Sequence, residues 1–211
     1  MKKLRVLAGC EYSGRVRQAF RALGHLAWSC DLLPAEDGSR FHVTGDIIPL
    51  LDDNWDLAIF HPPCTYLSVS GMHWTTRGLR DPQLTEDALV FVQKLMNAPI
   101  PLIAIENPVS IISSRIRKPD QIIHPYQFGE DASKKTCLWL KGLPLLKPTN
   151  FVSPRMVCRG DKVSLPRWGN QCDGGQSKLG PGDDRWRDRS RTYAGIARAM
   201  AYQYSFAAYN C

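Results

Sequence analysis

At 211 residues, with 44% hydrophobic and 22% charged residues, the chain has the make-up of a soluble globular protein with one well-buried domain rather than two large ones. No apolar run approaches the roughly 20 residues a membrane span needs, and the apolar stretch after the basic start Met1-Lys2-Lys3 is too short for a signal peptide. A cytoplasmic protein is therefore expected. The net charge of +7 is uneven: residues 1–146 hold 16 Lys and Arg against 15 Asp and Glu, and residues 147–211 hold 11 against 5. Nearly all the excess lies in the last third, as in a surface that meets phosphates or one that is simply well solvated.

Short β-rich runs alternate with helical patterns over the first 140 residues, which predicts a mainly parallel sheet with helices on both faces. Leu4–Ala8 reads as the first strand. A turn, Gly9-Cys10-Glu11-Tyr12-Ser13-Gly14, leads into a helix with Val16, Phe20 and Leu23 on one face, ended by Gly24. Leu26–Cys30 is the second strand, closing on Asp31, and a further short strand leads into Gly45-Asp46-Ile47. Asp56–Phe60 runs into His61-Pro62-Pro63-Cys64. Thr85 is expected to cap a helix through Asn97, with Glu86 and Asp87 in its first turn. Leu102–Ile105 ends in Glu106-Asn107-Pro108, and Cys137–Lys141 forms a late strand. Residues 143–188 turn rich in Pro, Gly and Arg and predict an irregular segment. A last helix from about Thr192 to Phe206 carries Tyr193, Ile196, Ala197, Met200 and Tyr204 at helical spacing.

Cysteines stand at Cys10, Cys30, Cys64, Cys137, Cys158, Cys172 and Cys211 without a CxxC pair, so no metal is expected, although Cys158 and Cys172 could be imagined around zinc. Three strands end in a polar residue at their carboxyl edge: Asp31, Glu106 and, after the two prolines, Cys64. Ligands bind at that edge of an open α/β sheet.

The run Asp56–Gly71 (DLAIFHPPCTYLSVSG) resembles the catalytic loop of the DNA cytosine C5-methyltransferase family, in which a strand leads into Pro-Cys and a loop containing Ser and Gly. Ile105-Glu106-Asn107-Pro108 resembles that family's Glu-Asn element. The resemblance covers about residues 4–142 and 186–204, and the form is compact and phage-like. It implies a doubly wound, Rossmann-like sheet, with a catalytic domain over 1–146 and 188–211. Residues 147–187 would then form a short basic segment in place of a target recognition domain.

The implied reaction needs these residue types. C5 of cytosine is a poor nucleophile until a thiolate adds at C6, and Cys64 would be that nucleophile. Addition is easier when N3 is protonated at the same time, and Glu106 would be the general acid. The resemblance places S-adenosylmethionine against Gly9, Cys10, Glu11, Tyr12, Ser13 and Gly14, with Pro62 beside it. Asp31 would bind its ribose hydroxyls, and Asp46 with Ile47 its adenine. The Arg189–Ala197 stretch resembles the last motif, which returns to the cofactor. Ser68, Asn107, Lys134, Lys135, Arg155, Arg159 and Arg167 are the candidate substrate contacts, and DNA is the expected partner.

Two departures matter. Thr65 follows Cys64 where the family usually has Gln, and its Gln-x-Arg-x-Arg element has no copy; Lys134, Lys135, Arg115 and Arg117 are the candidate replacements. The basic segment, with Arg155, Arg159, Lys162, Arg167, Lys178, Arg185 and Arg187 interleaved with Trp168 and Trp186, suits grip on a phosphate backbone more than sequence readout. Alternatives stay open: cytosine in RNA or free nucleotides, or an inactive DNA-binding relative. A thiol hydrolase would need His61 as base, and no residue to orient it is evident.

Overall fold

The computed structural model describes residues 3–159, 163–180, 182 and 185–209. Lys162 and Cys211 lie outside them, as do the side chains of Arg159 and Trp186. The frame is set by strands whose apolar runs leave no polar face: in β1 (Arg5–Gly9) and β4 (Leu57–Phe60), Val6, Leu7, Ala8 and all four residues of β4 are buried. Such strands need cover on both faces, which a parallel sheet with crossover helices provides.

Helix α1 (Arg15–Ala22) connects β1 to β2 (Leu26–Asp31), and β3 (His42–Thr44) follows. After β4 come α2 (Val69–Thr76), α3 (Gln83–Met96), β5 (Leu102–Pro108), α4 (Ile112–Arg115), β6 (Gln121–Ile123) and β7 (Thr136–Lys141). The sheet order is β3-β2-β1-β4-β5-β7-β6. β1 to β5 pair in parallel, while β7 runs antiparallel to both β5 and β6. This is the doubly wound sheet of the Rossmann-like methyltransferase type. One face packs Val6, Ala8, Leu57 and Ile59 against Val16 and Phe20 of α1 and Ile196, Met200 and Tyr204 of the last helix. The other packs Leu7, Ala58, Phe60 and Ile103 against Leu89, Val92 and Leu95 of α3. Among the described residues no helix is long and apolar enough to cross a membrane.

The structure departs from the sequence reading in four places. Leu23 is 47% exposed, and Arg17 takes the expected core position instead at 1%. Its guanidinium donates to Ser29 Oγ at 2.7 Å and to Asp37 at 2.5 Å, so the buried charge is paired. Thr85 does not cap α3, because the Asp81 carboxylate accepts from Gln83 N at 2.9 Å and starts the helix earlier. The Thr85 hydroxyl donates to the Tyr66 carbonyl at 3.3 Å. Glu106 and Asn107 are not past the end of β5 but within it, held by pairing with Leu138 and Cys137 of β7. Residues 147–187 are not irregular throughout. They contain a hairpin, β8 (Arg155–Arg159) and β9 (Val163–Arg167), and lead into α5 (Arg185–Ser190) and α6 (Ala194–Ala208). Val157 and Leu165 are half-buried between exposed neighbours, an alternation in burial that the short apolar run Met156-Val157-Cys158 does not display in sequence.

Burial raises the Asp37 carboxyl, but hydrogen bonds from Arg17 and Gln18 outweigh it and hold it below the ordinary range. A depressed carboxylate contributes stability above its unfolded value and loses it as pH falls through the folded one. Asp37→Asn is expected to cost about 1–3 kcal/mol at neutral pH, less than for a fully buried pair because Asp37 is partly exposed. In urea denaturation the gap from wild type should narrow as pH drops below about 4. A gap that does not change with pH would contradict this.

Candidate active site at the carboxyl edge

The register of the parallel strands lines up the edge. Gly9 of β1 stands opposite Cys30 of β2 and Phe60 of β4, and Phe60 opposite Ile105 of β5. The next residue on each strand therefore falls in one row: Cys10, Asp31, His61 and Glu106. A Cβ on Gly9 would collide with Ile47 and Phe60, so only glycine lets these chains approach. Cys10 then turns the chain at φ 56, and Gly14 opens α1 at φ 72.

Within that turn Glu11 is buried. Its Oε1 accepts from Ser13 Oγ at 2.5 Å and Val16 N at 3.4 Å, while Oε2 has no partner among the described residues. Burial raises its carboxyl, against the lowering effect of the His61 charge. Tyr12 Oη donates to the Arg187 carbonyl at 3.0 Å, Arg15 donates to the Thr192 carbonyl at 2.9 Å, and Arg191 pairs with Glu36 and Asp188. Residues 187–192 thus lie against the glycine turn. Asp31 accepts from Leu33 N and Asp46 from Ile48 N, each at 3.0 Å. Both carboxylates reach the buried thiols beside them: burial raises Cys10 and Cys30, and Asp31 and Asp46 raise both further, Cys30 to about 11. Asp31 and Asp46 therefore converge beyond the ends of β1 and β2, and Ile47 is buried behind them.

Asn107 Nδ2 donates to the Pro62 carbonyl at 2.8 Å and steadies the Pro-Pro turn. Asn107 is 1% exposed, so it stands behind the turn rather than on a substrate surface, and Pro62 too is buried. Cys64 is surface-accessible. Its carbonyl accepts from Leu67 N and Ser68 N, and Ser68 Oγ accepts from Gly71 N at 3.2 Å as the cap of α2. Although the residue is exposed, the protein around its sulfur replaces enough water to push the Cys64 thiol up; Lys134 and Arg189 pull it down, and Glu106 pushes it up. Burial would also raise Glu106. The bond to His61, the Lys134 charge and a bond from Thr136 overcome it and hold the carboxyl below its ordinary value. Cys64, Glu106 and Lys134 accordingly form one group. Lys134 Nζ donates to the Arg189 carbonyl at 2.9 Å.

His61, considered from the sequence only as the base of a thiol hydrolase, lies against Glu106. Its Nδ1 lies 3.1 Å from Glu106 Oε2 and 3.4 Å from Thr192 Oγ1. The signal was available, since residues one step past paired Phe60 and Ile105 must be neighbours. Arg115 and Arg117 do not join the site: Arg115 pairs with Glu86, and Arg117 with Asp120.

Lys135 is exposed. Arg155 pairs with Asp173 at 2.6 Å, and Arg167 Nε donates to the Asp173 carbonyl at 3.1 Å. The hairpin is fastened just before Lys134. Trp168 stacks on Tyr126 with centroids 4.4 Å apart, Asn170 exchanges two hydrogen bonds with Ser133, and Gly169 N donates to Asp131.

No protein family's sequence pattern matches the chain, and no curated protein does. Solved structures resemble its fold at low identity. The Dnmt2 methyltransferase of S. pombe is 20% identical, covering 65% of this chain and 48% of that one, with a TM-score of 0.44. The Entamoeba histolytica methyltransferase EhMeth is 16% identical over 72% of this chain and 59% of that one, at 0.49. An E. coli methyltransferase assigned to DNA modification and encoded within a prophage is 14% identical over 71% and 52%, at 0.46. The chain thus spans about half the length of these structures.

Alkylation of Cys64 by iodoacetamide, followed by peptide mass spectrometry, is expected to be slow at neutral pH. It should keep rising beyond the ordinary cysteine range near ~8.5. Lys134→Ala removes the leading cation and should slow it further at any given pH. Rapid reaction at pH 7 would contradict the burial that raises this thiol.

Proposed function

We propose that this protein transfers a methyl group from S-adenosylmethionine to C5 of cytosine in DNA, with Cys64 as nucleophile. The reading rests on the geometry that ties the Pro62-Pro63-Cys64 turn to the Glu106-Asn107 pair, through Asn107 Nδ2 to the Pro62 carbonyl at 2.8 Å and His61 Nδ1 to Glu106 at 3.1 Å, with Lys134 close enough to act on both Cys64 and Glu106. Few reactions need a thiol and a carboxyl on one small ring; addition to a pyrimidine does.

The groups of the turn fit S-adenosylmethionine. Gly9 and the left-handed Cys10 allow close backbone approach, Asp31 suits ribose hydroxyls, and Asp46 suits the adenine amine. Glu11 Oε2 is a buried acceptor without a partner among the described residues. Bound there, the cofactor supplies an electrophilic methyl group.

Cys64 Sγ bonds C6 of the base, and the C5–C6 π electrons move to C5, which takes the methyl group. Glu106, fixed beside the ring, passes a proton to N3 and takes it back. A solvent water then takes the C5 proton, and the C–H electrons re-form the C5–C6 double bond as the Cys64 thiolate leaves C6. Burial keeps Cys64 in the thiol form, so it gives its proton to solvent before it attacks, and Lys134 and Arg189 stabilise the thiolate that results. Support for a polymeric substrate comes from charge. Residues 147–211 carry 11 Lys and Arg against 5 acids, and a single nucleotide needs far fewer cations.

Labelled methyl transfer to DNA is expected from wild type and not from Cys64→Ser. DNA containing 5-fluorocytosine should trap wild type covalently, because fluorine cannot leave C5 as a proton does. Glu106→Gln should lower turnover about 10²–10⁴-fold with a much smaller change in DNA affinity. Full activity of Cys64→Ser would remove the nucleophile from the mechanism.

DNA affinity should fall steeply with salt and depend weakly on sequence, since phosphate contacts position without specifying. Replacing Arg155, Arg167 and Lys178 together should flatten the log–log salt slope by about 0.9 for each phosphate that is no longer neutralised. An unchanged slope would move the interface elsewhere. Absence of DNA binding with turnover of free cytosine nucleotides would change the substrate class.

A further inference from the structure

We propose that His61 is a positioning residue that holds the proton Glu106 passes to the base, so that the two side chains act as a single acid. The inference rests on the methyltransferase reading above and adds to it the source of the proton.

Glu106 is asked to do two things that conflict. It must donate a proton during addition, yet its surroundings hold it ionised: the bond to His61 favours the carboxylate, as do Lys134 and Thr136. A carboxylate can pass on a proton only if another group supplies it. His61 is the group in contact, with Nδ1 3.1 Å from Oε2 and only 6% of its side chain exposed. A charged imidazole donates through Nδ1 to Oε2 of Glu106. When N3 gains basicity on addition of the thiolate, Glu106 gives it a proton and takes the Nδ1 proton of His61. Loss of the C5 proton and expulsion of the thiolate reverse both transfers, so no proton is gained or lost by the pair.

The carboxyl of Glu11, on the turn after β1, is near enough to feel a charge on His61, whereas Nε2, buried with no partner among the described residues, is a donor left unpaired in the charged ring. Asp31, at the end of β2, feels it too. The remaining neighbours are Thr192 before α6, at 3.4 Å from Nδ1, and Lys134 before β7, which acts on Glu106. His61 thus touches Glu106 and is felt by two further carboxyls, Glu11 and Asp31.

The test uses the full chain with His61→Gln, and His61→Asn should the first fail to fold. In wild type, kcat falls on the alkaline side as the pair loses its shared proton. In His61→Gln that limb should move to lower pH by about one unit or more, with kcat about 10²-fold down at pH 8. Near pH 6 it should recover most of the loss, while the KM for DNA stays within about twofold. A loss by the same factor at every pH, or wild-type rates throughout, would overturn the proposal. A second readout does not depend on methyl transfer. The carboxyl carbon-13 resonance of Glu106, assigned with Glu106→Gln, should titrate below the ordinary glutamate range in wild type. It should move upward in His61→Gln, where burial is less opposed. An unmoved titration would overturn the coupling whatever the reaction is. Failure of wild type to methylate DNA or be trapped by 5-fluorocytosine, with the titration shift intact, would instead sink the methyltransferase reading.

Discussion

Strand β1 is hydrogen-bonded on both sides, to β2 and to β4, and both pairings end at Gly9. The edge chemistry depends on that common ending. A side chain at Gly9 would push Ile47 and Phe60 away, and Phe60 fixes the level at which His61 leaves β4 and, through Ile105, the level of Glu106. The spacing of a thiol, a carboxyl and an imidazole is thus inherited from backbone hydrogen bonds formed among the least exposed residues of the molecule. Apolar burial on both faces makes those strands the part of the fold that opens last.

On this rigid frame the charged groups work against one another. Burial disfavours the ionised form of Cys64 and of Glu106 alike, and Lys134 favours it for both. Glu106 also raises Cys64, so ionising one makes ionising the other harder. A single lysine between two acids of different kinds lets their protonation states be set by what else enters the site. Lys134 is itself tied to the Arg189 carbonyl and preceded by the anchored loop 131–133.

The central strands were legible because burial on both faces leaves uninterrupted apolar runs, as in Asp56–Phe60 and Leu102–Ile105; their order, and the short strand Gln121–Ile123, were not. The ends of helices were less so. Leu23 and Thr85 obey local patterns, but Arg17, paired with Asp37 and bonded to Ser29, and Asp81, capping Gln83, decide the outcome through partners that periodicity does not reveal. The hairpin of residues 155–167 escaped notice because its strands are short and mostly exposed, and tertiary contacts such as Trp168 on Tyr126 fix it. At the candidate site, residue type and neighbours were enough to single out Cys64 and Glu106, whereas the contact of His61 with Glu106 depends on a register across two strands, between residues 45 apart.

The contacts of Tyr12 with Arg187 and of Arg15 with Thr192 join positions 175 and 177 residues apart. During synthesis the strands β1 to β5 can pair well before that distant stretch leaves the ribosome. The glycine turn, however, keeps its outer wall missing until residues 187–192 have been made. Between the synthesis of Glu106 and that of residues 187–192, the nascent polypeptide therefore carries its thiol and carboxyl without that wall beside them.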